Sequence, residues 1–162
     1  MENLLTEIEK CIEHGLYQTA IGMTLAIPDM CGALESENGE ASNQKYKTWL
    51  QINVDEGIGL SAEDCYKFRC SFLHQRSTVH QKSTYDRIVF TDPEFEGTVH
   101  NCEGNKVLNI DLRIFCFSII NAARKWLDKV KDDPNFIKNY KNCFRKNPEG
   151  VIRLVGNVDV YG

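Results

Sequence analysis

The sequence has no Cys-x-x-Cys pair, although it holds seven cysteines. Cys11, Cys31, Cys65, Cys70, Cys102, Cys116 and Cys143 are an odd number, scattered through helix-like stretches with no close Cys/His pairing. That argues against a disulfide framework and against a structural zinc site. Free thiols, mostly buried, are expected, as in a reducing compartment. No apolar run approaches the roughly 18 residues of a membrane-spanning helix. The opening MENLLTEIEKCIEHG is acidic and amphipathic, without the basic start and apolar run of a secretory signal. These absences predict a cytoplasmic protein with no membrane partner. No phosphate-cradling glycine-rich loop occurs, which speaks against nucleotide hydrolysis. Internal repeats, low-complexity segments and an interdomain linker are also lacking.

What is there suits one domain spanning 1–162. Of the residues, 42% are hydrophobic and 26% charged, globular proportions that can bury one sizeable core. The net charge of −4 is not that of a simple nucleic-acid coat. The charge is unevenly spread. Residues 1–64 hold three Lys/Arg against twelve Asp/Glu, a net of −9, and residues 111–153 hold ten against five, a net of +5. Such asymmetry suits an anionic partner or self-association, and equally well helix faces that are merely solvated.

Apolar spacing predicts a mainly α fold, an antiparallel helical bundle with a small β-hairpin insert. A first helix is expected over 2–13, with Leu4, Leu5, Ile8, Cys11 and Ile12 on one side. A second runs from about Leu16 to Leu34 and is apolar almost all round, as for a helix buried among others; Pro28 should kink or divide it. A third covers about Asn43 to Val54. Ser61 and Asp64 form a capping-box pattern that starts a fourth near Ala62, ending near Gln75. Asp111 caps a long helix to about Val130, and Pro134 opens another that should continue to Asn147-Pro148. Between 76 and 108 the chain is rich in Ser, Thr, Gly and Asp. Short β-prone runs at Arg87–Phe90, Gly97–His100 and Lys106–Leu108 surround a turn at Glu103-Gly104-Asn105. The alternating tail, 151–162, reads as a strand that pairs with this insert.

The chemistry concentrates in Arg69-Cys70-Ser71-Phe72-Leu73-His74, an Arg-x4-His element at the end of the fourth helix. At about 100° per residue, Arg69 and His74 project roughly 140° apart, so a single helix is not expected to assemble a compact site. Two copies meeting across a symmetric interface would. In the plainer reading, Arg69 salt-bridges an acidic neighbour and His74 sits at a helix end. Cys70 is a nucleophile only if His74 serves as its base; a thiol in such a helix is more often core. Arg76 and His80 extend a basic rim or simply line a solvated loop. His100 reads as a surface residue, and Trp49 and Trp126 as core.

The Arg-x4-His element in its helical setting resembles the HEPN superfamily (higher eukaryotes and prokaryotes nucleotide-binding), over about residues 15–145. The resemblance implies a small helical bundle that dimerises so that two motifs line one cleft. It also implies metal-independent cleavage of single-stranded RNA, with no cofactor. Arg69 and His74 would be catalytic, Tyr66, Cys70 and Ser71 supporting, and Arg76 and His80 an RNA-binding rim, with no metal ligands. Members occur in toxin–antitoxin pairs, abortive-infection systems and RNA-targeting CRISPR effectors, so RNA, a second copy and a cognate antitoxin are the implied partners. One departure stands out: active members often carry Asn, Asp or His after the arginine, where this chain has Cys70. A non-catalytic interaction or RNA-binding module with a degenerate motif is the alternative.

Overall fold

A computed structural model describes residues 1–147 and 160–162. Among these the fold is mainly helical: α1 (Glu2–Glu13), α2 (Tyr17–Leu34), α3 (Asn43–Asn53), α4 (Ala62–Gln75), α5 (Leu112–Val130) and α6 (Pro134–Tyr140), with a 3₁₀ turn at Glu56–Ile58. A three-stranded sheet is built from β1 (Arg87–Thr91), β2 (Cys102–Gly104) and β3 (Val107–Asp111). No helix among the described residues is long and apolar enough to cross a membrane.

Four of these six helices begin where a side chain accepts from the free N–H groups of the first turn. Ser42 accepts from Lys45, Ser61 from Asp64, Asp111 from Arg113 and Ile114, and Asp133 from Phe136. α1 buries Leu5, Ile8 and Ile12 along one stripe. α2 is buried on nearly every side and packs against α1, α3, α4, α5 and α6. It runs unbroken through Pro28, so of the two outcomes expected there, a kink or a division, the division does not occur. The ring removes one backbone donor, that to Thr24, but Ile27 and Pro28 are buried, and packing against five neighbours holds the turn. Arg124 on α5 donates to Glu2 and Glu9 of α1. One point of the charge asymmetry is therefore neutralised within the chain.

Close approach of α2 and α3 depends on Gly32. A Cβ there would lie 3.0 Å from Lys45 Cβ and 3.2 Å from the Lys45 carbonyl carbon and oxygen. The obstacle is partly backbone, which cannot swing aside. Gly32→Val is expected to destabilise the protein by about 1–3 kcal/mol, read as a lower urea midpoint at unchanged slope. An unchanged midpoint would mean that the two helices separate without cost.

The β-region differs from a simple insert hairpin. β2 and β3 do form an antiparallel hairpin, but its turn is Asn105-Lys106, both with positive φ (50° and 59°), the backbone of a two-residue hairpin turn. Gly104 lies in β2, and 97–100 is not a strand. β1 adds to β3 in parallel, Arg87 opposite Val107, giving the order β1-β3-β2. The sheet belongs to the core: Ile88, Leu108 and Ile110 are buried, and Phe90 meets Phe68 of α4 and Phe115 of α5 at ring distances of 5.7 and 5.4 Å. It also extends three residues beyond the expected limit and runs directly into the cap of α5.

α6 stops at Tyr140 rather than near Asn147. Asn139 is engaged elsewhere, donating to the carbonyls of Leu34 and Ser36 at the end of α2. The expected tail strand lies mostly outside the described residues. Its end, β5 (Val160–Tyr161), pairs with β4 (Lys146–Asn147), not with the insert.

Candidate functional site

α2 and α4 run in opposite directions. Asp29 meets Arg69, Gly22 faces Phe72 and Leu73, and Gln18 meets Arg76. Their junction leaves the outer stripe of α4 half-exposed, and Tyr66, Arg69, Cys70, Leu73 and His74 lie on it.

The structure brings Arg69 and His74 together within one chain, against the expectation from their angular separation. Arg69 Nη1 lies 3.5 Å from His74 Nε2. The angle between Cα–Cβ directions is as the helix dictates, but the long arginine side chain spans it. For Nη1 to donate to Nε2, the neutral imidazole must carry its proton on Nδ1. Arg69 Nε donates to Asp29 Oδ2 at 2.7 Å, and Nη1 also approaches Cys70 Sγ at 4.0 Å. Among the described residues, Nη2 has no protein acceptor. Burial lifts the Asp29 carboxyl above its ordinary value, with the Arg69 charge and hydrogen bond opposing the rise. Burial works against the Arg69 charge, but Asp29 and Cys70 together outweigh it and hold the guanidinium above its ordinary value. Tyr66 is pushed up by burial and then by its neighbour Cys70.

Ser71 is not a supporting group of this site. It is 2% exposed and faces the core side of α4 with Cys65 and Phe68. It falls three residues after Phe68, and helical spacing turns it inward. Arg76 leaves the helix in the left-handed region (φ 53°), and its N–H closes onto the Phe72 carbonyl at 3.0 Å. This is the hydrogen bond of a helix end usually made with glycine. Arg76 donates to Gln18 Oε1 at 2.7 Å, at one end of an open groove of about 510 Å³ floored by Gly22, Met23, Phe72 and Leu73. His80 lies in the following turn, where its Nδ1 accepts from Lys82 N–H; no contact joins it to Arg69 or His74. His100 is not a simple surface residue. It is half-buried, its Nδ1 accepts from Asp111 N–H, and its Nε2 faces the Gly57 carbonyl.

Trp49 and Trp126 are buried and pack edge to face. All seven cysteines are free. Burial pushes the Cys65 and Cys116 thiols up to about 12, far from the thiolate form that reacts. No group of three or more His, Cys, Asp or Glu side chains that could hold a metal ion occurs among the described residues.

Two residues with clear roles escaped sequence reasoning. Asp29 is the only charged residue in the 18 of α2. A lone carboxylate in an apolar helix needs a partner, and that was the available signal. Asp64 was read only as part of a cap. It is 5% exposed and also accepts from Ser83 Oγ and from Thr84 N–H and Oγ1, which ties α4 to the segment before β1.

Compared with models of known protein families, with curated proteins and with solved structures, the chain matches none.

Proposed function

We propose that this chain is an antiparallel helical bundle of HEPN type that cleaves single-stranded RNA without a metal ion, as a homodimer. The observation that carries the reading is the 3.5 Å approach of Arg69 Nη1 to His74 Nε2 on an accessible helix face, with Nη2 left for a ligand. The residue types suit the reaction. The RNA 2′-oxygen bonds to its adjacent phosphorus, the bond from phosphorus to the 5′-oxygen breaks, and a 2′,3′-cyclic phosphate remains. The 2′-hydroxyl proton goes to a base, and the leaving 5′-oxygen takes one from an acid. Imidazole exchanges protons near neutral pH and can play either part. The guanidinium stays charged and offers paired N–H groups to the phosphorane oxygens.

One chain supplies one imidazole at this site, whereas base and acid together call for two. A two-fold dimer presenting two α4 ends to one cleft meets that need. Half-exposed Leu73, with Met23 beside it, gives the face apolar content for such a contact. Tyr66 and Cys70 flank the pair, and Arg76 and His80 form the RNA rim. In a toxin setting, a cognate antitoxin would cover the same face.

Purified protein should cut single-stranded RNA in EDTA, leave 2′,3′-cyclic phosphate ends, and scatter light as a dimer at tens of micromolar. Strict metal dependence, or a monomer that cuts nothing, would sink the proposal. A non-catalytic interaction module is favoured by one observation: the Arg69–Asp29 ion pair joins α2 to α4, as a purely structural arginine would. That reading wins if a partner binds this face while no RNA is cut.

A further inference from the structure

We propose that Asp29 is the positioning residue of this site, holding the Arg69 guanidinium by its Nε edge so that the Nη edge faces an incoming phosphate. The inference rests on the RNA-cleavage reading. The geometry that carries it is a division of labour around one planar group. Nε donates to Asp29 Oδ2 at 2.7 Å, across 40 residues of chain. Nη1 lies against His74 Nε2, and Nη2 has no protein acceptor among the described residues. The side chains of Arg69 and Asp29 are 22% and 13% exposed, so water competes weakly for the bond.

An arginine free of such an anchor samples many rotamers, and only a few aim its fork outward beside the imidazole. A carboxylate meeting the Nη1/Nη2 edge would occupy the atoms a phosphate needs. Asp29 meets the other edge. It therefore orients without blocking, though its negative charge lowers the attraction of the site for an anion. Position and charge thus pull in opposite directions, and they can be separated by substitution.

Asp29→Asn keeps an acceptor oxygen in place and removes the charge. Asp29→Ala removes both. In RNA cleavage, Asp29→Ala is expected to lower kcat by about 10–100-fold, the scale of a misplaced catalytic group. Asp29→Asn should recover most of kcat and lower KM, because phosphate then meets a less neutralised arginine. A second readout needs no turnover. The Arg69 Nε–H resonance should be resolved from the exposed arginines in wild type and Asp29→Asn, should move on titration with inorganic phosphate, and should merge with the exposed arginines in Asp29→Ala. Thermal melts check that each variant is folded.

Equal kcat for Asp29→Ala and wild type would overturn the proposal, as would a kcat above wild type in either variant, which would make Asp29 a restraint. Asn as damaging as Ala would overturn it too, because charge rather than orientation would then matter. If wild type cuts no RNA, the cleavage reading fails. The resonance and its phosphate response still decide whether Asp29 orients Arg69.

Discussion

Replacing His74 with alanine is expected to lower single-strand RNA cleavage by about 10²–10⁴-fold, the range over which a positioned proton-transfer group contributes. Arg69→Ala should cost a similar order, because the phosphorane charge then loses its fixed cation. The two variants should differ in stability. His74 is exposed near the end of α4, and its loss should leave the urea midpoint nearly unchanged. Asp29 is 13% exposed beside Arg69; Arg69→Ala takes away its ion-pair partner, and about 1–3 kcal/mol of stability should go with it. Arg69→Lys separates charge from shape. An ammonium can answer Asp29 or a phosphate, but it has no planar fork to serve Asp29 through one edge and a phosphate through the other. Rescue should therefore be partial. Lys129→Ala, on the last turn of α5, removes a positive charge without touching α4 and should be silent. Cleavage that survives both His74→Ala and Arg69→Ala would remove this site from the chemistry.

Asp64→Ala should be the most damaging single polar substitution in α4, at about 2–3 kcal/mol. The carboxylate accepts from Ser61 Oγ, Ser83 Oγ, Thr84 N–H and Thr84 Oγ1. Removing it strands several donors at once and frees the segment that leads into β1. Burial alone would raise this carboxyl, but the bonds from Thr84, Ser61 and Ser83 outweigh it and hold the group below its ordinary value of 3.8. The sign follows from linkage. A group bound as carboxylate more tightly in the folded state stabilises fully above its unfolded value. That contribution is lost as pH falls through the lower folded value. Wild type should therefore lose stability below about pH 4 more steeply than Asp64→Ala. Asp29 works the other way. Its raised value means that stability falls as pH rises from the unfolded value to the folded one, a window that lies above that of Asp64. Subtracting the Asp64→Ala profile from wild type isolates the lower window. If the two profiles run parallel below pH 4, Asp64 carries no such linkage.

Helix positions were largely legible in the chain because their signals are local. Ser61, Asp111 and Pro134 mark helix starts through the chemistry of the first turn, and α1, α4 and α5 begin and end within a residue or two of where apolar spacing puts them. The inward turn of Ser71 was legible too, three residues after Phe68, although its polar character suggested the opposite. The Arg-x4-His element is visible as letters.

Its geometry is not. A four-torsion side chain closes the angle between Arg69 and His74, and its Nε meets Asp29, 40 residues away on a helix that packs alongside. The parallel pairing of β1 with β3 is likewise a non-local choice: each strand's pattern is compatible with either neighbour, and packing of Ile88, Phe90, Leu108 and Ile110 on the helices selects one. Pro28 shows the same rule from the other side. Local chemistry says a helix should kink or divide there; it does not divide, because packing against five helices outweighs one missing hydrogen bond. By itself, then, the sequence determined where the helices lie, which faces they bury and which residue types meet at the end of α4. Only the tertiary structure decided how those side chains meet, because rotamers and strand partners depend on neighbours that are distant along the chain.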